Sequence, residues 1–190
     1  MIEQLRDWQS FYMLIGTASA TLAGLMFIAI SLGGTRRSTA DERSTIQLAY
    51  SAFLSPTYIH FVYALVTAVV VFVPTLSETV FGVLLVLAGL GSIGYILRQL
   101  PFVWERFRVG SLDRSDLVWY SLMPCISYVL YLDAGIGLLR AAAGGRSRGH
   151  ALDALATASV LLIVTGVRNA WDLVVFQMMR AAQEDREEHE

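Results

Sequence analysis

The chain has 190 residues, of which 55% are hydrophobic and 16% charged, and its mean hydropathy is +0.55. Soluble domains carry about 25% charged residues, so this composition excludes an ordinary soluble domain and indicates a membrane protein. The net charge of −2 predicts no nucleic-acid partner, and the single cysteine, Cys125, has no second thiol for an intrachain disulfide.

Five apolar segments account for most of the chain. Each is about long enough to cross a hydrocarbon core of roughly 30 Å as a helix. They predict an all-α integral membrane helical bundle that forms a single transmembrane domain, followed by an acidic cytoplasmic tail at 181–190. The five predicted spans are residues 11–33, 48–73, 79–97, 117–139 and 151–178.

The first span has two contrasting faces. At about 100° per residue, small and hydroxyl-bearing residues form one stripe, and large apolar residues such as Met26 lie opposite. In lipid, close approach over small residues and hydroxyl hydrogen bonds brings helices together. We therefore expect the small face to pack against neighbouring helices or, alternatively, to line a pore. The residues concerned are Gly16, Thr17, Ala20, Thr21 and Gly24.

The second and third spans form a predicted hairpin, because only the short segment 74–78 separates them. Pro56 is expected to kink the second helix, which also carries His60 near its middle. The third span is predicted to be a packing helix, because its glycines permit close contact between backbones. These glycines are Gly82, Gly89, Gly91 and Gly94.

Polar residues inside a membrane are costly and require partners. Counted along their helices, His60 and Asp133 of the fourth span lie at similar depth. They could therefore meet as an ion pair or as a neutral hydrogen bond, with a structural role or a role in handling protons or ions. The alternative is that the two side chains do not touch.

The fifth span carries three polar residues towards its end. Arg168 and Asp172 have the i, i+4 spacing of a salt bridge, and Asn169 shares a stripe with Asp172. The pair is predicted to be either a solvated interfacial ion pair or a contact for an anion or substrate inside the bundle.

Arginine placement predicts the orientation. Arginines accumulate in the segment 34–47, in the segment 98–116 and after the fifth span. Because basic residues favour the cytoplasmic side, we expect the N-terminus outside and the C-terminus in the cytoplasm.

No sequence motif indicates catalysis. The chain contains neither a phosphate-binding glycine loop with lysine nor a nucleophile elbow, and its three histidines are scattered. We predict that the protein is not an enzyme and has no catalytic residue, cofactor site or metal site.

The first span resembles the opening of a group of small uncharacterised bacterial membrane proteins. The resemblance is carried by Trp8 and by the run Phe11-Tyr12-x3-Gly16-Thr17-Ala18-x-Ala20-Thr21-Leu22-x-Gly24-Leu25-x-Phe27-Ile28-Ala29-x-Ser31-Leu32. Some members of this group are labelled modulators of a membrane-anchored AAA protease. The resemblance implies a location in the bacterial inner membrane and assigns no functional residue.

Two functions are consistent with this sequence. The first is a membrane-embedded regulator or accessory subunit, which would bind another membrane protein or a second copy of itself within the lipid bilayer. The second is an oligomeric ion channel or small-solute conduit, lined by the small face of the first span or by the deep polar residues. The first function is favoured because each polar feature has a structural explanation.

Overall fold

A computed structural model describes residues 2–33, 57–108, 114–145 and 148–187. Within these ranges all the regular structure is helical, so the prediction of an all-α bundle is confirmed. The helices are α1 (Ile2–Gly33), α2 (Thr57–Val71), α3 (Glu78–Arg108), α4 (Arg114–Leu117), α5 (Met123–Ala142) and α6 (Arg148–Glu187), with a π-helical turn at Val118–Leu122 between α4 and α5.

Four stretches of helix are long and apolar enough to cross a membrane: Trp8–Ile28, Glu78–Arg98, Ser115–Ala142 and Arg148–Asp172. They correspond to the predicted first, third, fourth and fifth spans, and their number and hydropathy identify a membrane protein. The described part of the second span is the shorter apolar helix α2. Residues 48–56 of that span, including Pro56, lie outside the described residues.

Three helices extend well beyond the predicted spans. Helix α1 begins at Ile2, although the predicted first span begins at residue 11. Helix α3 continues through Pro101 to Arg108, although the predicted third span ends at 97. Helix α6 continues to Glu187 and so includes most of the predicted acidic tail. The backbone hydrogen bonds of a helix are internal, so a helix is not obliged to stop at the membrane boundary, and the alanine, glutamine and glutamate of the tail favour helix.

The closest helix contact joins α3 and α5, which run antiparallel. A Cβ atom built on Gly135 would lie 2.8 Å from the carbonyl oxygen of Gly82, and one built on Gly89 would lie 3.0 Å from the nitrogen of Leu132. The predicted glycine packing is therefore confirmed for Gly82 and Gly89. Gly91 and Gly94 face open space, since a Cβ atom at either would have nothing within 4 Å.

Helix α1 packs through the face opposite to the one expected. The large residues Tyr12, Ile15 and Met26 are buried, and Met26 packs against Phe61 of α2. In the predicted packing stripe, Gly16 approaches Ala68, with 3.1 Å between a Cβ built on Gly16 and the Ala68 Cβ. The other four members of the stripe are exposed: Thr17, Ala20, Thr21 and Gly24.

The expected orientation of α1 was thus wrong for the described bundle. The Thr21 hydroxyl donates to the carbonyl oxygen of Thr17 at 2.8 Å, so it needs no partner on another helix. The large side chains, in contrast, gain dispersion contacts by filling the groove beside α2 and α6.

The connection from α5 to α6 begins with a Schellman motif. Gly144 has a φ of +92°, which favours glycine at this position. The N–H of Gly144 donates to the Ala141 carbonyl at 3.0 Å, and the N–H of Gly145 donates to the Arg140 carbonyl at 2.9 Å. Beyond this turn, Arg148 at the start of α6 binds Glu78 at the start of α3, with Nη2 at 2.7 and 2.9 Å from the two carboxylate oxygens.

Candidate functional site

Six side chains from α2, α3 and α5 form a hydrogen-bonded polar core near the middle of the candidate membrane spans. We define the polar core as His60, Tyr63, Thr67, Ser92, Tyr128 and Tyr131. All except the partly buried Tyr63 are buried. Because polar side chains are costly at this depth, the core is the first candidate for function.

Helical spacing explains why these residues meet. His60, Tyr63 and Thr67 follow each other at i, i+3 and i+7 on α2 and so lie on one face. Tyr128 and Tyr131 have the i, i+3 spacing on α5. His60 pairs with Tyr128 and Thr67 with Tyr131, so the two helices run parallel with these faces in contact.

Each hydroxyl of the polar core has a defined partner. His60 Nδ1 lies 3.0 Å from Tyr128 Oη, and Thr67 Oγ1 lies 2.9 Å from Tyr131 Oη. Ser159 of α6 also hydrogen-bonds the Tyr131 side chain. Tyr63 Oη donates to the Ala88 carbonyl at 3.2 Å and accepts from Ser92.

Ring packing supports the same arrangement. The Tyr63 ring meets Tyr128 and Tyr131 edge-to-face, with centroids 5.4 and 5.9 Å apart. Hydrogen bonds between transmembrane helices contribute about 0.6 kcal/mol each on average. The polar core therefore fixes the register of α2, α3 and α5 through several modest contributions.

The possible contact between His60 and Asp133 does not occur. His60 Nδ1 is engaged by Tyr128, and Asp133 Oδ2 lies 3.1 Å from Nε2 of His150 at the start of α6. Depth alone suggested the pairing, but direction around the helix prevents it, because Asp133 is about 140° around α5 from Tyr128. Asp133 is also half-exposed rather than deep.

The polar residues of α6 divide into two sets. Arg168 and Asp172 form the predicted i, i+4 salt bridge, and each side chain is about one-third exposed. Thr165 and Asn169 are fully buried. Neither the Thr165 hydroxyl nor the Asn169 amide has a hydrogen-bond partner in the described part of the chain.

A π-helical turn faces this part of α6. The N–H of Met123 donates to the carbonyl of Val118, five residues earlier. Pro124, which follows, has no N–H to donate and sterically excludes the usual bond to the preceding turn, so a widened turn before it is expected. Within the turn, Tyr120 lies in electrostatic range of Arg168.

Sequence reasoning located His60 and Asn169 as buried polar residues but missed the tyrosines that surround His60. The available signal was the matching pattern on α2 and α5, in which polar residues three and four positions apart occur within apolar helices at equal depth. Asp133, Arg168 and Asp172 were predicted to be buried polar residues, but they are partly exposed.

The polar core offers hydrogen-bond donors and acceptors but no set of metal ligands. Among the described residues, no group of three His, Cys, Asp or Glu side chains could hold a metal ion. The arrangement is suited to fixing helix register and to binding uncharged polar groups.

Comparison with protein-family models, curated proteins and solved structures finds no match to this chain.

Proposed function

We propose that the protein is a membrane-embedded regulator or accessory subunit that binds a transmembrane helix of another membrane protein through the exposed face of α1. In this proposal it resides in a bacterial inner membrane, with its N-terminus outside and its C-terminus in the cytoplasm. The bundle acts as a scaffold that presents α1, and the protein carries out no chemistry of its own.

The observation that carries this proposal is the orientation of α1. Its large residues Tyr12, Ile15 and Met26 face the bundle. Its exposed side carries other large apolar residues, such as Leu25 and Ile28, together with the small residues Thr17, Ala20, Thr21 and Gly24. A Cβ built on Gly24 has nothing within 4 Å, so another backbone can approach closely there. Small residues at such spacing are enriched where transmembrane helices associate.

The packing of the interior supports the same function. The polar side chains of the core are hydrogen-bonded to one another across α2, α3 and α5. The glycine contact between α3 and α5 leaves no room there for a passing solute. A closed bundle that presents small residues on the outside of α1 is better suited to binding a partner than to conducting solutes.

Site-specific photo-crosslinking in native membranes tests the proposal. A photoreactive residue at Ala20 should capture a defined protein band, whereas the same residue at Leu87 should label mainly lipid. Leu87 is a suitable control because it is exposed at mid-depth on α3. A band of twice the mass of this chain would identify a second copy as the partner, and equal labelling at both positions would contradict the proposal.

An ion or small-solute conduit is the second candidate. It is favoured by one observation, the Asn169 amide, which is buried at membrane depth and has no hydrogen-bond partner among the residues that the structure describes. Proteoliposome flux of protons and small ions should then fall in Asn169→Leu and persist in Thr157→Val, an exposed position on the same helix. Vesicles that stay tight to every ion would remove this candidate.

A further inference from the structure

Three buried side chains at the contact of α2 and α6 carry polar atoms without a partner in the described ranges. They are Nε2 of His60, Oγ1 of Thr165 and both amide atoms of Asn169. Each of these residues is at most 3% exposed. The other ring nitrogen of His60 is engaged by Tyr128, so Nε2 is the atom left for a further contact.

Helix packing places the three residues at one level. The Phe61 ring lies against Gly166, where a built Cβ would be 2.6 Å from Phe61 Cε1. His60 immediately precedes Phe61, and Thr165 immediately precedes Gly166. Asn169 lies one helical turn beyond Thr165 on the same face, so its amide is directed into the same interior.

Leaving these groups unpaired would be costly. A buried donor or acceptor without a hydrogen bond costs about 1–3 kcal/mol, and four such atoms lie here. Buried polar groups in this position are commonly satisfied by an internal water, which makes about three hydrogen bonds. Water both donates and accepts, and it can therefore serve the carbonyl and the NH₂ of Asn169 as well as the Thr165 hydroxyl.

The surrounding charges favour an uncharged occupant. Arg168 and Asp172 lie on the adjoining turns of α6 and neutralise each other in their salt bridge. The amide of Asn169 presents a donor beside an acceptor, whereas a bound cation or anion would use only one of them.

We propose that α2 and α6 enclose an intramembrane water site built from His60, Thr165 and Asn169. The water bridges Nε2 of His60 to the two polar side chains of α6 and is supplied from the end of the bundle where the partly exposed Arg168–Asp172 pair lies. This site goes beyond the proposed function, because it does not depend on whether α1 binds a partner.

Asn169 makes the proposal directly testable, because it is the only asparagine in the chain. Selective ¹⁵N labelling of asparagine therefore gives one side-chain NH₂ group in the NMR spectrum. In deuterated detergent micelles, rotating-frame Overhauser spectra should show direct cross-peaks from these two protons to water. The Thr165→Val variant should lose or strongly weaken them, whereas Thr157→Val should leave them unchanged.

Two outcomes would overturn the site. The first is an Asn169 NH₂ group with cross-peaks to protein side chains and none to water. The second, measured on a matched sample in protonated detergent, is contact with detergent acyl protons, which would place the amide on the outside of the bundle. The spectrum of the unmodified protein decides between these outcomes and the proposal even if Thr165→Val does not fold.

Discussion

Helices α1 and α3 carry similar small-residue patterns but use them differently. On α3, Gly82 and Gly89 contact the backbone of α5. A Cβ atom built on either glycine would lie 3.0 Å from a backbone atom, the Gly135 oxygen for Gly82 and the Leu132 nitrogen for Gly89. On α1, Thr17, Ala20, Thr21 and Gly24 face outward, and Gly16 of the same stripe approaches Ala68 of α2. A small-residue stripe therefore marks a face that can be approached closely, without specifying which helix approaches it.

The partner surface accounts for the difference. Helix α5 offers Gly135, so two glycine backbones meet and their dispersion contacts are close. Helix α2 offers the small Ala68 opposite Gly16 and the large Phe61 ring opposite Met26. Complementary size across a contact thus matters more than the composition of either helix alone.

The largest effect is expected where both backbones are in contact. Gly135→Val would place side-chain carbons 2.8 Å from the Gly82 carbonyl and the Val86 nitrogen, neither of which can move independently of its helix. We expect a loss of about 3 kcal/mol or more in the free energy of unfolding. Steric trapping in bicelles measures this value, and the open position Gly94→Val serves as the control. Equal stability of the two variants would show that the α3–α5 contact is looser than described.

A smaller effect is expected at Gly82. A Cβ there would lie 2.9 Å from Leu139 Cγ and 3.0 Å from the Gly135 carbonyl. Since the side chain of Leu139 can shift but the carbonyl cannot, Gly82→Ala should cost about 1–2 kcal/mol. Leu139→Ala in the same background should recover part of the loss, as a double-mutant cycle would show. Strict additivity of the two substitutions would argue against the contact.

Gly16 provides the intermediate case. Its Cβ position lies 3.1 Å from the methyl group of Ala68, so Gly16→Ala requires a shift of a few tenths of an ångström. A cost of about 0.5–1 kcal/mol is expected. The double variant Gly16→Ala with Ala68→Gly should return towards the native unfolding free energy, apart from the intrinsic effect of the new glycine. Failure of this compensation would remove Gly16 from the α1–α2 contact.

The smallest effect on stability is expected at Gly24. Because a Cβ there meets nothing within 4 Å, Gly24→Ala should change the unfolding free energy of the purified protein by no more than about 0.5 kcal/mol. In native membranes the bulkier Gly24→Leu should abolish the crosslink formed from Ala20. A crosslink that survives Gly24→Leu would show that Gly24 lies outside the contact with the partner.

Much of the fold follows from the sequence because hydropathy and helix length are local properties. The four helices that are long and apolar enough to cross a membrane and the Arg168–Asp172 salt bridge depend on spacing within one segment, and the hairpin of α2 and α3 depends on the short link between them. The glycine contact of α3 was partly predictable for the same reason.

The candidate site was harder to predict because it depends on how separate helices are rotated against each other. Their similar depth in the membrane suggested that His60 and Asp133 could meet. Asp133 lies on a different side of α5, however, and its carboxylate contacts His150 instead. Likewise, amphipathicity did not reveal which face of α1 would pack, because in lipid both faces are tolerated.

The π-helical turn at Val118–Leu122 determines how the fourth membrane span responds to the loss of a residue. This turn holds one residue more than an α-helical turn, so the extra residue is accommodated without interrupting the helix. Removing one residue there would restore a regular α-helical turn and leave α4 in nearly the same direction relative to Tyr128 and Tyr131. A one-residue deletion in this turn should therefore disturb the polar core less than a one-residue deletion in the regular helix between Met123 and Tyr128, which would rotate the preceding residues by about 100° against Tyr128 and Tyr131.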